Sequence, residues 1–224
     1  MTRSDIPAFL LNIILSTATV KGRNKYDKIQ GWCDTPLTDK GIADAKHAGE
    51  VLKNIPFDIA LSSDLGRAVD TCDYIIEKNC NHFTLQHIAS PFFREQFFGF
   101  FEGMNSDEAW QMIGGPHGCP RRQELLLKEK MSVIKDYIHE ADPYHDAEDN
   151  KAYWERLDKG FKLIKELDGA ENILLVSHSM TIRSIVSRYA PEIPLVPGPA
   201  NGSITILKMN NNDVKVTEYN KTEF

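Results

Sequence analysis

Asn12 to Asn24 reads N-I-I-L-S-T-A-T-V-K-G-R-N, an apolar run that stops in small polar residues and then turns basic. Ile13, Ile14 and Leu15 show no polar alternation, which is the pattern of a parallel strand covered on both faces. The stretch therefore predicts a buried strand that opens into a site loop. Two later stretches repeat the layout: Ile59-Ala60-Leu61 runs into Ser62-Ser63-Asp64-Leu65-Gly66-Arg67, and Ile173 to Val176 runs into Ser177-His178-Ser179-Met180-Thr181-Ile182-Arg183. Ligands of open α/β sheets bind beyond the carboxyl ends of the strands, so the three loops are expected to meet. The second brings an arginine and the third a histidine. The first, which should bring the chemistry, offers no obviously reactive side chain.

Between these strands the spacing is helical. Thr38 is the expected N-cap of a helix with Ile42, Ala45, Gly49 and Leu52 on one face, ended by Pro56. Ser62 or Ser63 is the expected cap of a second, with Leu65, Ala68, Val69, Cys72, Ile75 and Ile76 inward and Arg67 in its first turn. Phe92 to Gly103, dense in aromatics, reads as a packed loop, and Glu95 within it as a surface carboxylate. Residues 104–150 read as an inserted lid broken by Gly114-Gly115-Pro116 and Pro120, with one helix from about Gln123 to His139 that turns Met131, Ile134 and Ile138 inward. Trp154 to Leu167 and Ile182 to Tyr189 give two more helices, and Ser203 to Met209 pairs with Val214 to Tyr219 as a closing hairpin around Asn210 to Asp213. The alternation predicts an α/β fold, a three-layer sandwich whose mostly parallel central sheet is flanked by helices. At 224 residues, without a composition break, residues 1–224 are expected to form a single domain.

A net charge of −6 and a pI near 5.7 argue against a general nucleic-acid or anionic-membrane binder, so any anion site must be local. Cys33, Cys72, Cys80 and Cys119 lie far apart without C-x-x-C spacing, which suggests idle thiols in a reducing, cytoplasmic setting. His139 to Asp146 has the composition of metal ligands but no recognised spacing, and no metal is assigned. Arg3, the apolar run Ile6 to Leu15 and Ser16-Thr17-Ala18 have the layout of a signal peptide. Asp5, Pro7 and Asn12 interrupt it, and cleavage would remove the first strand, so the segment is read as a strand. No run is long enough to span a membrane.

Four stretches together carry a resemblance over nearly the full length: Asn24 through Gln30-Gly31-Trp32-Cys33-Asp34-Thr35-Pro36-Leu37-Thr38; Ser62 to Ala68; Arg94-Glu95-Gln96-Phe97-Phe98-Gly99-Phe100-Phe101-Glu102-Gly103; and Val176-Ser177-His178 through Arg183. In order and spacing the chain resembles the histidine phosphatase superfamily, the phosphoglycerate mutase-like enzymes. The resemblance implies phosphoryl transfer through a phosphohistidine, with no cofactor, the nucleophile lying in an Arg-His-Gly tripeptide just after the first strand. Carried over by motif, Arg67 is the second phosphate-binding arginine, His178 the second histidine, Asn24 a phosphate contact and Glu95 the proton donor. On the residues alone, Arg67 and Glu95 would read as a surface ion pair and His178 as a hydrogen-bonded turn histidine.

The tripeptide itself is absent. Its place falls on Thr17-Ala18-Thr19, which puts Ala18 at the nucleophile position, or Thr17 in a register shifted by one. Ser179 replaces the glycine that follows the second histidine in this family. An alanine has no lone pair to attack phosphorus, whereas Arg67 and His178, with Lys21 or Arg23, could still hold a phosphate. The sequence therefore predicts a catalytically degenerate member that binds phosphate or a phosphorylated small molecule. The alternative is an active phosphatase or phosphomutase using an unorthodox nucleophile or an activated water. The sequence is compatible with a homo-oligomer and fixes no oligomeric state.

Overall fold

The fold was taken from a computed structural model, which describes residues 11–17, 27–210 and 213–223. One six-stranded sheet organises it: β1 (Leu11–Thr17), β2 (Ile59–Ser63), β3 (Gln86–Ser90), β4 (Asn172–Ser177), β5 (Ile204–Met209) and β6 (Val214–Lys221), in the spatial order β3-β2-β4-β1-β5-β6. The first four are mutually parallel and the last two run antiparallel. The sheet is thus mixed, with the expected parallel core and a terminal hairpin. Ile13, Leu15, Leu61, Ile173 and Leu175 face one helical layer, while Ile14, Ala60, Leu174 and Val176 face the other. This two-sided burial is why these strands read as unbroken apolar runs.

Register brings three strand ends into line. Thr17 lies beside Ser177, and Ser62 beside Val176. The next residues in sequence are Ala18, His178 and Ser63. Ala18 and Asn24, like Lys21 and Arg23, lie outside the described residues.

The helices are α1 (Asp39–Leu52), α2 (Gly66–Lys78), α3 (Ser106–Gly114), α4 (Arg122–Lys128), α5 (Met131–Ala141), α6 (Asn150–Lys165) and α7 (Ser179–Tyr189). Thr38 caps α1 as expected, its side chain accepting from the Gly41 amide. The cap of α2 differs from expectation. Leu65 occupies the N-cap position without a side-chain bond, and Ser63 Oγ accepts only from the Leu65 amide. The first helical amide, Gly66 N–H, goes instead to Asp34, which lies far earlier in the chain. The lid also differs: the single helix expected from 123 to 139 is two, α4 and α5, separated by extended backbone at Glu129 and Lys130.

Trp110, Ile113, Leu125, Ile134 and Ile138 give the lid its own apolar core, which reaches Met180 and Leu195 of the main body. Asp142 fastens it. Its fully buried carboxylate accepts from the amides of Phe100, Tyr144, Asp146 and Ala147. Burial pushes this carboxyl up, and the backbone donors outweigh it, holding it below its ordinary value. Among the described residues no helix is long and apolar enough to cross a membrane, and no group of three His, Cys, Asp or Glu could hold a metal ion.

Candidate functional site

The strand ends carry a buried polar cluster. Arg67, in the first turn of α2, is 1% exposed and is no surface cation. Its Nη2 donates to the Gly31 carbonyl at 2.6 Å, and its Nη1 donates to the Cys33 carbonyl at 2.8 Å and to Asp34 Oδ1 at 3.1 Å. Its partner is therefore Asp34, not Glu95. Its Nε is buried with no hydrogen-bond partner.

The loop that Arg67 grips is held from its other side by Glu102. That carboxylate accepts from the amides of Gly31, Trp32, Cys33 and Phe98 at 2.8 to 3.1 Å. Gly31 has no room for a side chain, because a Cβ there would lie 2.2 Å from the Gln96 carbonyl and from Glu102. Only glycine lets the two loops approach so closely.

Glu95 is also buried, which corrects its reading as a surface carboxylate. Its oxygens accept from the amides of Gln96, Met180 and Thr181 and from Thr181 Oγ1, at 2.9 to 3.1 Å. It thereby supplies an anion to the start of α7, where free amides and the helix dipole favour one. Ser177 Oγ donates to the Phe93 carbonyl at 2.8 Å and ties the Glu95 loop to the end of β4.

His178 sits at the N-cap of α7, 3% exposed, and its Nε2 is buried with no partner. Burial first, and then the nearby cations Arg67 and Arg156, push its pKa well below the ordinary histidine value. The ring is neutral at physiological pH, with an unspent nitrogen.

Three further charged groups were not singled out as site residues from the sequence. Arg183, one turn into α7, donates to Ser179 Oγ at 2.6 Å and to the Leu195 carbonyl at 3.1 Å. Burial and then the neighbouring Arg122 bring its pKa down to about 10. Its guanidinium occupies the space over Gly198, where a Cβ would come within 1.4 Å of Nη2. Ser179 thus orients an arginine. Arg122, at the start of α4, lies over the Trp110 ring at 5.8 Å, and its buried Nε has no partner. Arg156 on α6 is different: it grips Glu148 at 2.6 and 2.8 Å and caps the carbonyls of Phe92, Arg94 and Glu95. Its charge is satisfied, whereas neither Arg122 nor Arg183 forms an ion pair with a carboxylate among the described residues.

Cys33 is no substitute nucleophile in this setting. Burial, with Glu102 alongside, pushes its thiol up to about 11.

The comparisons with known proteins agree with this architecture. A phosphoglycerate mutase of Schizosaccharomyces pombe is 28% identical over 166 residues, covering 73% of this chain and 72% of its own length. A 2,3-bisphosphoglycerate-dependent phosphoglycerate mutase of Gloeobacter violaceus is 27% identical over 172 residues, covering 73% and 68%. The crystal structure of phosphoglycerate mutase from Bacillus anthracis superposes with a TM-score of 0.88 at 28% identity, over 96% of this chain and 95% of that one. The histidine phosphatase superfamily (branch 1) matches over residues 18–222, and with nearly the whole chain inside that match, the protein belongs to this superfamily.

Proposed function

We propose that this chain is a catalytically degenerate histidine phosphatase that keeps a pocket for the phosphate group of a small phosphorylated molecule. The observation that carries the reading is the buried, partnerless Nε2 of His178, one residue beyond the strand register that pairs Thr17 with Ser177. A buried nitrogen left without a partner costs about 1–3 kcal/mol, so the site is built to receive something. Arg67 Nε and Arg122 Nε are orphaned likewise, and Arg183 adds a further cation, so an anion fits.

Turnover by the family route needs a nucleophilic imidazole, and in our reading Ala18, or Thr17 in the shifted register, stands at that place. In a well-studied hydrolase, loss of the nucleophile costs about a millionfold in turnover, while the remaining shell keeps roughly a thousandfold over water. Glu95 would serve as proton donor in the family scheme. Here its oxygens are engaged by four donors at the start of α7, which suits an anchoring role as well. The four unpaired thiols accord with a reducing, cytoplasmic setting.

The pocket is tested by titrating inorganic phosphate calorimetrically. The wild type is expected to bind, and His178→Ala to bind about tenfold more weakly, as fits the loss of one hydrogen bond to a charged group. Absence of binding by the wild type overturns the reading. One observation favours a second reading, an active phosphatase or phosphomutase. A neutral His178 is the form able to accept a proton from an attacking water. Phosphatase turnover abolished by His178→Ala and by Glu95→Ala would establish it.

A further inference from the structure

A buried amine lies against α7, hydrogen-bonded to Ser184. Lys135 of α5 is fully buried, yet it forms no ion pair among the described residues. Its Nζ donates to Ser184 Oγ at 2.7 Å and weakly to the Met131 carbonyl at 3.4 Å, and it stands 4.4 Å from the centre of the Tyr153 ring. Both residues that accept from it also line an open cleft of about 410 Å³ between α5, α6 and α7, so one residue separates the buried amine from the cleft.

One of these acceptors, Ser184, connects Lys135 to the pocket. Ser184 Oγ donates to the Met180 carbonyl at 2.7 Å, and the Met180 amide donates to Glu95 Oε2 at 2.9 Å. We propose that Lys135 is a proton-linked charge coupled to the anion pocket, largely neutral in the empty protein on the alkaline side of neutrality and protonated through the α5–α6–α7 cleft when a dianion binds at His178. The step is a simple ionisation: the amine takes one proton from solvent and becomes an ammonium, and no other bond changes. The inference rests on the anion pocket proposed above.

The electrostatics agree. Burial brings the Lys135 pKa down to about 7. Glu95 from the loop ahead of the lid, Glu148 from the loop before α6 and Asp136 of α5 itself favour the ammonium, and Arg156 of α6 opposes it. Tyr153 of α6 faces it as an un-ionised phenol, its own pKa raised by burial, and α7 offers the Ser184 hydroxyl. Burial outweighs the acids already present, and a dianion entering beside Glu95 adds to the groups that favour the ammonium.

The test is calorimetric titration of the full chain with sulfate, which stays dianionic throughout, at pH 8 in two buffers of different ionisation enthalpy. The expected result is net proton uptake on binding, abolished in Lys135→Met, together with a wild-type affinity that rises severalfold from pH 8.5 to pH 6.5. Binding with no proton uptake, or uptake unchanged in Lys135→Met, overturns the inference and leaves the pocket standing. Absence of sulfate binding overturns both. Should Lys135→Met not fold, NMR of ¹³C-lysine-labelled wild type reads the same step: the Lys135 Cε signal must move from its neutral to its charged position as sulfate is added, and a static signal overturns the inference.

Discussion

Two sets of basic side chains surround the Glu95 loop and are treated oppositely. Arg156 and Arg94 are spent: each grips one carboxylate with two nitrogens, Glu148 at 2.6 and 2.8 Å and Asp64 at 2.6 Å on both. Arg122, Arg183, His178 and Lys135 have no carboxylate partner among the described residues, and two of them carry buried nitrogens with no partner at all. The first set fastens loops to helices and holds the shape. The second, gathered about Glu95 and the start of α7, leaves hydrogen-bonding capacity and the charges of Arg122 and Arg183 unspent, which is costly in an empty protein and suits the proposed anion site.

The contrast breaks most visibly at Arg156. Replacing it with alanine strands Glu148 and several loop carbonyls, and a loss of about 3–5 kcal/mol is expected in chemical denaturation. A loss under about 1 kcal/mol would mean that the spent pairs are ornamental. Arg122→Met is the matching test on the other set, since no ion pair is broken. Its stability should stay within about 1 kcal/mol of wild type while phosphate affinity falls about tenfold, equivalent to about 1.4 kcal/mol.

Smaller effects separate the sets by pH. Because the folded His178 pKa lies well below 6.5, the unfolded chain binds its proton first as pH falls. Stability from this group is complete above about pH 6.5 and declines below it by up to about 1.4 kcal/mol per pH unit until the folded pKa is reached. His178→Gln should flatten that slope in urea melts taken between pH 6.5 and 5. Asp142 acts in a lower window. Its folded pKa lies below 3.8, so its contribution is present above that value and is lost as pH falls through the folded pKa. Asp142→Asn should remove this acid-side loss at a cost of about 1–3 kcal/mol near neutrality, from amides left without their acceptor.

The parallel strands were legible from the sequence because burial on both faces leaves unbroken apolar runs, and α1 because Thr38 and its inward stripe agree. β3 was not, since an edge strand of Gln86 and His87 carries no apolar period. The division of α4 from α5 was hidden because Glu129 and Lys130 include neither glycine nor proline. Arg67, Glu95 and His178 could be named from motif, but not their partners, because Asp34, Gly31 and Met180 are distant in sequence and meet only after folding. Lys135 and Arg122 gave no signal whatever, since a lysine or arginine in a helix reads as solvated until its burial is known. The fold was thus written in patterns of period and burial, and the site in pairings that only the fold creates.

The central claim is that the pocket persists while the nucleophile is gone. Hydrolysis of an aryl phosphate by this protein, run beside the variant Thr17→Arg, Ala18→His, Thr19→Gly, tests it most directly. The account predicts an inert parent and a restored variant that turns over and forms phosphohistidine. A parent that hydrolyses the ester as fast as the restored variant would contradict it and require a different nucleophile.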